Sequence, residues 1–225
     1  MSTQKATGKF LSAYLSRQLS HFFPDRARIP QKLLNDAVKE ALIWLSESFS
    51  QLDRAYYEGG LERCFNHLNG DHYAMFLYCV SRKVHELEED SPLAAKTFLL
   101  NKCLHGLDVF YKVRLPRAFL FVHPIGTVLG NASYGDFFCV YQNCTVGSKH
   151  DGTYPTFGKN VTLYSGASAI GDCEIGDDVI FAANSSIVSK PVPPRTVVLG
   201  RHPDNRFLTA RNRPADRIFR PSEAP

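Results

Sequence analysis

The chain has 225 residues, room for one large domain or two small ones, and 44% of them are apolar, enough to build a real core. Its formal net charge of +4 comes without a dense basic block, so nothing in the composition calls for nucleic acid as a partner. There is no run of about 18 apolar residues of the kind a membrane-spanning helix needs.

The opening stretch, MSTQKATGKFLSAYLSRQ, has no apolar h-region and no small-residue cleavage site, and it is not read as a secretory signal. Pro24 and Pro30 bracket a break. From Gln31 to Asp53 apolar residues fall at Leu34, Val38, Ala41, Leu42, Leu45, Phe49 and Leu52, the steps of three and four that mark one helix face. Asp71 to Leu87 repeats the pattern at Tyr73, Phe76, Leu77, Val80, Val84 and Leu87. A third run has Ser91 as N-cap and Pro92 at the first helical position, and it ends at Gly106. Six cysteines (Cys64, Cys79, Cys103, Cys139, Cys144, Cys173) show no CxxC spacing, and they read as reduced, small core residues of a cytoplasmic protein.

Near Asp108 the helical period stops and a period of six begins. The segments VHPIGT, VLGNAS, YGDFFC, VYQNCT and VGSKHD are followed, after a slip, by FGKNVT, LYSGAS, AIGDCE, IGDDVI, FAANSS and IVSKPV. Their first positions are Val122, Val128, Tyr134, Val140 and Val146, then Phe157, Leu163, Ala169, Ile175, Phe181 and Ile187. A fixed internal period signals a solenoid, here a parallel β-helix in which each hexad makes one short strand and one turn, with its first residue inward. A β-sandwich would show alternation at irregular spacing instead. The slip, GSKHDGTYPT (147–156), is polar and glycine-containing and is expected to leave the coil as a loop, the usual place for binding in a rigid solenoid.

On the segments HPIGTVLG, YQNCTVGS, AIGDCEIGDDV and SIVSKPVPPRTVVLG, the chain resembles the serine acetyltransferase group of hexapeptide acyltransferases over roughly residues 60 to 205. The resemblance implies an α+β chain: a helical region over 1–107, a left-handed parallel β-helix over 108–200 and a C-terminal tail over 201–225. It implies acetyl-CoA as donor, direct transfer without an acyl-enzyme, no metal, and a homotrimer whose helices could pair two trimers. His123 matches the group's catalytic base, and an imidazole near neutral pKa suits proton removal from an attacking hydroxyl or amine. Asp108, fifteen residues upstream, matches the aspartate that fixes the ring's tautomer. Gly147, Ser148, Ser165 and Ala183 match small positions that admit the pantetheine arm, and Lys190 matches a lysine near the CoA phosphates. His67, His72, His85, His105 and His202 are read as surface histidines.

The chain departs from the group where the acceptor is held. Thr153-Tyr154 stand in place of an Arg-His pair, and Val122 stands in place of an aspartate before the base. Without those groups a zwitterion has no evident grip. A saccharide or sugar nucleotide, as in polysaccharide biosynthesis, is therefore the expected acceptor, with His150, Thr153 and Tyr154 as the residues to hold it. Serine acetylation in cysteine synthesis is the alternative. A silent trimeric scaffold is a further one, and a zinc-dependent hexapeptide carbonic anhydrase would need more histidines than His123 and His150.

Overall fold

The computed structural model describes residues 7–25, 27–53, 65–211 and 218–219. Among them helices come first, α1 (Gly8–Phe22), α2 (Gln31–Ser50), α3 (Gly70–Leu87) and α4 (Pro92–His105), and short strands follow from Asp108 onward. None of the described helices is long and apolar enough to cross a membrane. The helix α1 is an addition to the sequence reading. Leu11, Leu15 and Leu19 line one buried stripe at steps of four, and the Thr7 side chain caps its first turn. The Ser91 side chain makes no capping bond, whereas Gly106 closes α4 in the left-handed conformation, φ 60°. His72, read as a surface residue, is buried within α3 at 2% exposure, and His85 and His105 also lie on helices. Cys79, Cys139, Cys144 and Cys173 are buried free thiols, but Cys103 is exposed, and Cys64 lies outside the described residues.

The strands form a parallel β-helix with three faces. The first face stacks Phe119–Phe121, Phe138–Val140, Thr162–Leu163, Ile180–Phe181 and Thr196–Leu199 in parallel, and Arg206–Thr209 joins last, antiparallel. The second stacks Asp108–Val109, Val128–Leu129, Thr145–Gly147, Ser168–Ile170 and Ser186–Val188. The third stacks Ser133–Tyr134, Thr156–Phe157 and Glu174–Ile175, with Val192 bridged to Ile175. From Tyr134 to Ile187 every inward position is the one the hexads give, and all but Tyr134 are buried to 4% exposure or less. Burying each such side chain contributes about 1.5–3 kcal/mol. The first two hexads differ. Phe121 pairs with Val140 and Leu129 with Val146, while Val128 faces out at 41% exposure. The cause is a wide turn over 123–127 that puts extra residues between the strands and shifts the register at both ends.

The corner between the first and second faces needs left-handed backbone. Asn143 and Asn184 (φ 58° and 60°) alternate with Gly126 and Gly166 (φ 74° and 72°) in successive coils. A Cβ on Gly126 would collide with Asn143 Oδ1, and one on Gly166 with Asn184 Oδ1, so the asparagine amides fill the space the glycines leave.

Helices α2 and α3 close the open end of the first face. Phe119 belongs to its outermost strand, and the Ser48 hydroxyl donates to the Phe119 carbonyl (2.7 Å) and accepts from the Phe119 N–H (3.1 Å). Ser48 is fully buried, so these are exchanges water cannot make. Nearby, Trp44 Nε1 donates to the Arg117 carbonyl (3.1 Å), and the Tyr78 hydroxyl donates to the Val113 carbonyl (2.9 Å) and accepts from the Leu115 N–H (3.0 Å). Ser48→Ala would strand both backbone groups of Phe119. It is expected to lower stability by about 1–3 kcal/mol, read as a drop in urea midpoint with an unchanged slope.

Candidate active site

His123 begins the wide turn. The strand Phe119–Phe121 ends as the Val122 N–H bonds the Val140 carbonyl, and the chain then turns through His123 at φ 47°, a left-handed conformation rare outside glycine. The turn is tied down on all sides. Ile125 N–H reaches the His123 carbonyl (2.7 Å), Gly126 N–H the Gly106 carbonyl (3.0 Å), and the buried Thr127 hydroxyl the Tyr141 carbonyl (2.7 Å). On this fixed backbone the imidazole projects outward, 75% exposed.

The carboxylate beside it is Asp71. Asn69 caps α3 by accepting from the Asp71 and His72 N–H groups, which places Asp71 in the first turn, where a negative charge is favoured. Its Oδ1 accepts the His123 backbone N–H at 3.0 Å, and its Oδ2 lies 3.4 Å from His123 Nδ1. The Asp71 side chain is only 15% exposed. Asp108, expected to be the partner, is engaged elsewhere: its Oδ2 lies 2.6 Å from Lys102 Nζ. The spacing to His123 sets where the Asp108 backbone enters the second face, beside Val128, but not where its side chain turns, and the last turn of α4 offers a cation there. The sequence carried one signal for Asp71, an acid in the first turn of a helix, and no signal that this turn would meet a residue 52 positions later.

The residues read as donor-binding divide between two corners. Ser165 and Ala183 follow Ile125 and Gln142 down the His123 corner, where Asn143, Gly166 and Asn184 N–H groups bond the carbonyls of Ile125, Gln142 and Ser165. Gly147, Ser148 and Lys190 lie at the next corner, where Gly171 N–H bonds the Gly147 carbonyl. The second face joins the corners, and its outward row, Val128, Thr145, Ser168 and Ser186, is small. Lys190 Nζ sits 5.0 Å from the centre of the Phe207 ring, a contact made by the antiparallel last strand.

The loop over 148–155 also leaves from the second corner. Thr145 and Ser168 remain paired across it, so its extra residues are absorbed outside the coil. Asp151 Oδ1 accepts the Thr153 N–H (2.9 Å), His150 is exposed, and the Tyr154 ring lies against Gly130, where any Cβ would collide with it. Tyr154 is thus a packing residue of the loop's return. Within one chain His123 and the loop residues His150, Thr153 and Tyr154 occupy neighbouring corners, not one cluster. Among the described residues no three His, Cys, Asp or Glu side chains gather as a metal cluster.

No protein-family model matches the chain. Among curated proteins it is 33% identical over 105 residues to the serine acetyltransferase of Synechococcus elongatus, a match covering 45% of this chain and 43% of that one. It is 32% identical over 112 residues to the serine acetyltransferase of Mycobacterium tuberculosis, covering 48% of each. The matches thus span about half the length of these relatives. Among solved structures, serine acetyltransferase from Vibrio cholerae superposes with a TM-score of 0.71 over 92% of this chain and 81% of that one, at 19% identity. A serine acetyltransferase in complex with CoA superposes with a TM-score of 0.66 over 89% of this chain and 84% of that one, at 19% identity. The chain is built like a serine acetyltransferase. The likeness takes in the helical half as well as the solenoid, since it covers nearly the whole chain.

Two histidines on the helical side of the His123 turn are kept neutral. Burial lowers the pKa of His72 to about 4, and the Asp71 charge opposes the shift in part. Burial lowers that of His105 too, again against Asp71. His72 Nδ1 accepts the Asn66 N–H at 3.1 Å, a bond that protonation would destroy. A folded pKa below the unfolded one means that the unfolded chain takes the proton first. This contribution is whole above about pH 6.5 and is lost as pH falls toward about 4, up to about 3 kcal/mol from His72. Urea unfolding across that window should show the decline, and His72→Phe should flatten it.

Proposed function

We propose that the chain transfers acetyl from acetyl-CoA directly to a small hydroxyl acceptor, as an O-acetyltransferase of the serine acetyltransferase type. The observation that carries this reading is an exposed imidazole on a fixed turn, backed by a mostly buried carboxylate, at the rim of a β-helix of this kind. His123 Nε2 takes the acceptor's proton while the acceptor oxygen attacks the thioester carbonyl carbon. The tetrahedral adduct then collapses with loss of CoA thiolate, which recovers the proton from the imidazolium. Ser165 and Ala183, stacked below the turn, together with Gly147 and Ser148, leave room for a pantetheine arm along the second face. Lys190 offers a cation for the CoA phosphates. A solved serine acetyltransferase with this fold was obtained in complex with CoA, which supports the donor.

The active unit in this proposal is a homotrimer. One chain leaves His123 and the 148–155 loop at adjacent corners, and β-helices set side by side bring one copy's loop toward another's His123. For the acceptor, the relatives' names favour serine. None of the relatives named above is a saccharide acetyltransferase, and the saccharide reading rests on Val122, Thr153 and Tyr154, with Tyr154 engaged in packing on Gly130.

Thiol release from acetyl-CoA, measured with L-serine and with free and nucleotide-linked sugars, tests both levels. His123→Ala should lower kcat by about a hundredfold or more, with the KM for acetyl-CoA nearly unchanged. Full activity in that variant would remove His123 from the chemistry. A higher kcat/KM for a sugar than for L-serine would decide the acceptor in favour of the saccharide.

A further inference from the structure

We infer that Asp71, at the start of a helix, is the residue that positions His123, in the place the sequence spacing gives to Asp108. The inference rests on His123 being the base. One carboxylate faces two groups of the same residue: Oδ1 accepts the His123 backbone N–H at 3.0 Å, and Oδ2 lies 3.4 Å from Nδ1. The first contact helps hold the backbone at φ 47°, where a side-chain-bearing residue is strained. The second favours the proton on Nδ1, which leaves Nε2 unprotonated on a ring that is 75% exposed. Asp71 has the means to hold this geometry. Its own backbone is fixed by the Asn69 cap, its side chain is 15% exposed, and it sits at the positive end of α3. Asp108, by contrast, is neutralised by Lys102 at 2.6 Å. The base is therefore oriented from the helical half of the chain, which makes the packing of α3 against the solenoid a condition for chemistry as well as for stability.

The decisive variant is Asp71→Asn. An amide offers one acceptor and one donor where the carboxylate offers two acceptors. If its oxygen keeps the His123 N–H, its NH₂ faces Nδ1 and forces the ring proton onto Nε2, the wrong tautomer for a base. The shape and the cap of α3 are preserved. Two readouts are needed. Long-range 1H–15N NMR of histidine-labelled protein at about pH 8, where a free imidazole is neutral, reports the His123 tautomer without any substrate. Steady-state acetyl-CoA turnover separates kcat from KM.

The expected result is an Nδ1–H ring in the unmodified protein and a shift toward Nε2–H in Asp71→Asn. The same variant should lose about tenfold or more in kcat at a KM for acetyl-CoA within about twofold. Asp71→Glu should restore the tautomer and part of kcat. An unchanged tautomer in Asp71→Asn, or a shift produced by Asp108→Asn and not by Asp71→Asn, overturns the inference. If the unmodified protein turns over no acceptor, the acetyltransferase reading falls, and the tautomer comparison still decides whether Asp71 positions the ring.

Discussion

Each coil of the solenoid lends its backbone N–H and C=O groups to the coil beside it, and this stacking is the constraint on which the rest of the structure depends. Asn143 bonds to Ile125, Gly166 to Gln142 and Asn184 to Ser165, each a coil apart at the same corner. Such a ladder permits no drift in register, because a slip of one residue would turn every inward side chain outward. It also fixes which residues can occupy the corners. The backbone there is left-handed, so glycine and asparagine alternate, and the asparagine side chains occupy the room above the glycines.

A stack of coils has two ends, and each leaves strand edges that would otherwise pair with another chain. At one end Ser48 of α2 serves as the missing neighbour of Phe119, with Trp44 and Tyr78 fastening the segment that leads into it. At the other, Arg206–Thr209 runs antiparallel to Thr196–Leu199, and reversing direction stops the parallel stack from continuing. Phe219, beyond it in sequence, bridges back to Leu52 just after α2, so the chain returns to the helical side. Terminal caps of this kind are a general need of repeat architectures.

The turn over 123–127 and the excursion over 148–155 both leave the stacking rule, and the proposed chemistry falls on both. The turn over 123–127 widens the first coil and sets His123 on it, held by bonds to Gly106, Tyr141 and Asp71. The excursion over 148–155 leaves the neighbouring corner and returns by packing Tyr154 on Gly130. A rigid coil makes both departures precise, since the strands on either side cannot move to relax them. The helical half adds the charge that the coil lacks at His123, and it keeps His72 and His105 neutral beside that charge by burying them.

The period of six determined the solenoid, the inward row from Tyr134 to Ile187 and the presence of the loop, because stacking energy repeats with the sequence and leaves its mark at every sixth residue. The steps of three and four determined α2 and α3 in the same way, and Pro92 and Gly106 bounded α4, whose Leu99 and Leu104 nonetheless lie exposed. His123 was singled out by its motif, and the structure sets it exposed on the wide turn. Whatever depends on contacts between distant segments was not legible. Val122 and Val128 fit the hexad, yet the wide turn hands their inward places to Phe121 and Leu129. Asp108 has the expected spacing, yet Lys102 takes its side chain and Asp71 reaches His123 across 52 residues. Spacing along a chain fixes where a backbone returns within one coil. It carries no information about how a helix from another part of the chain will lie against that coil, and only the packed structure decides which carboxylate faces the imidazole.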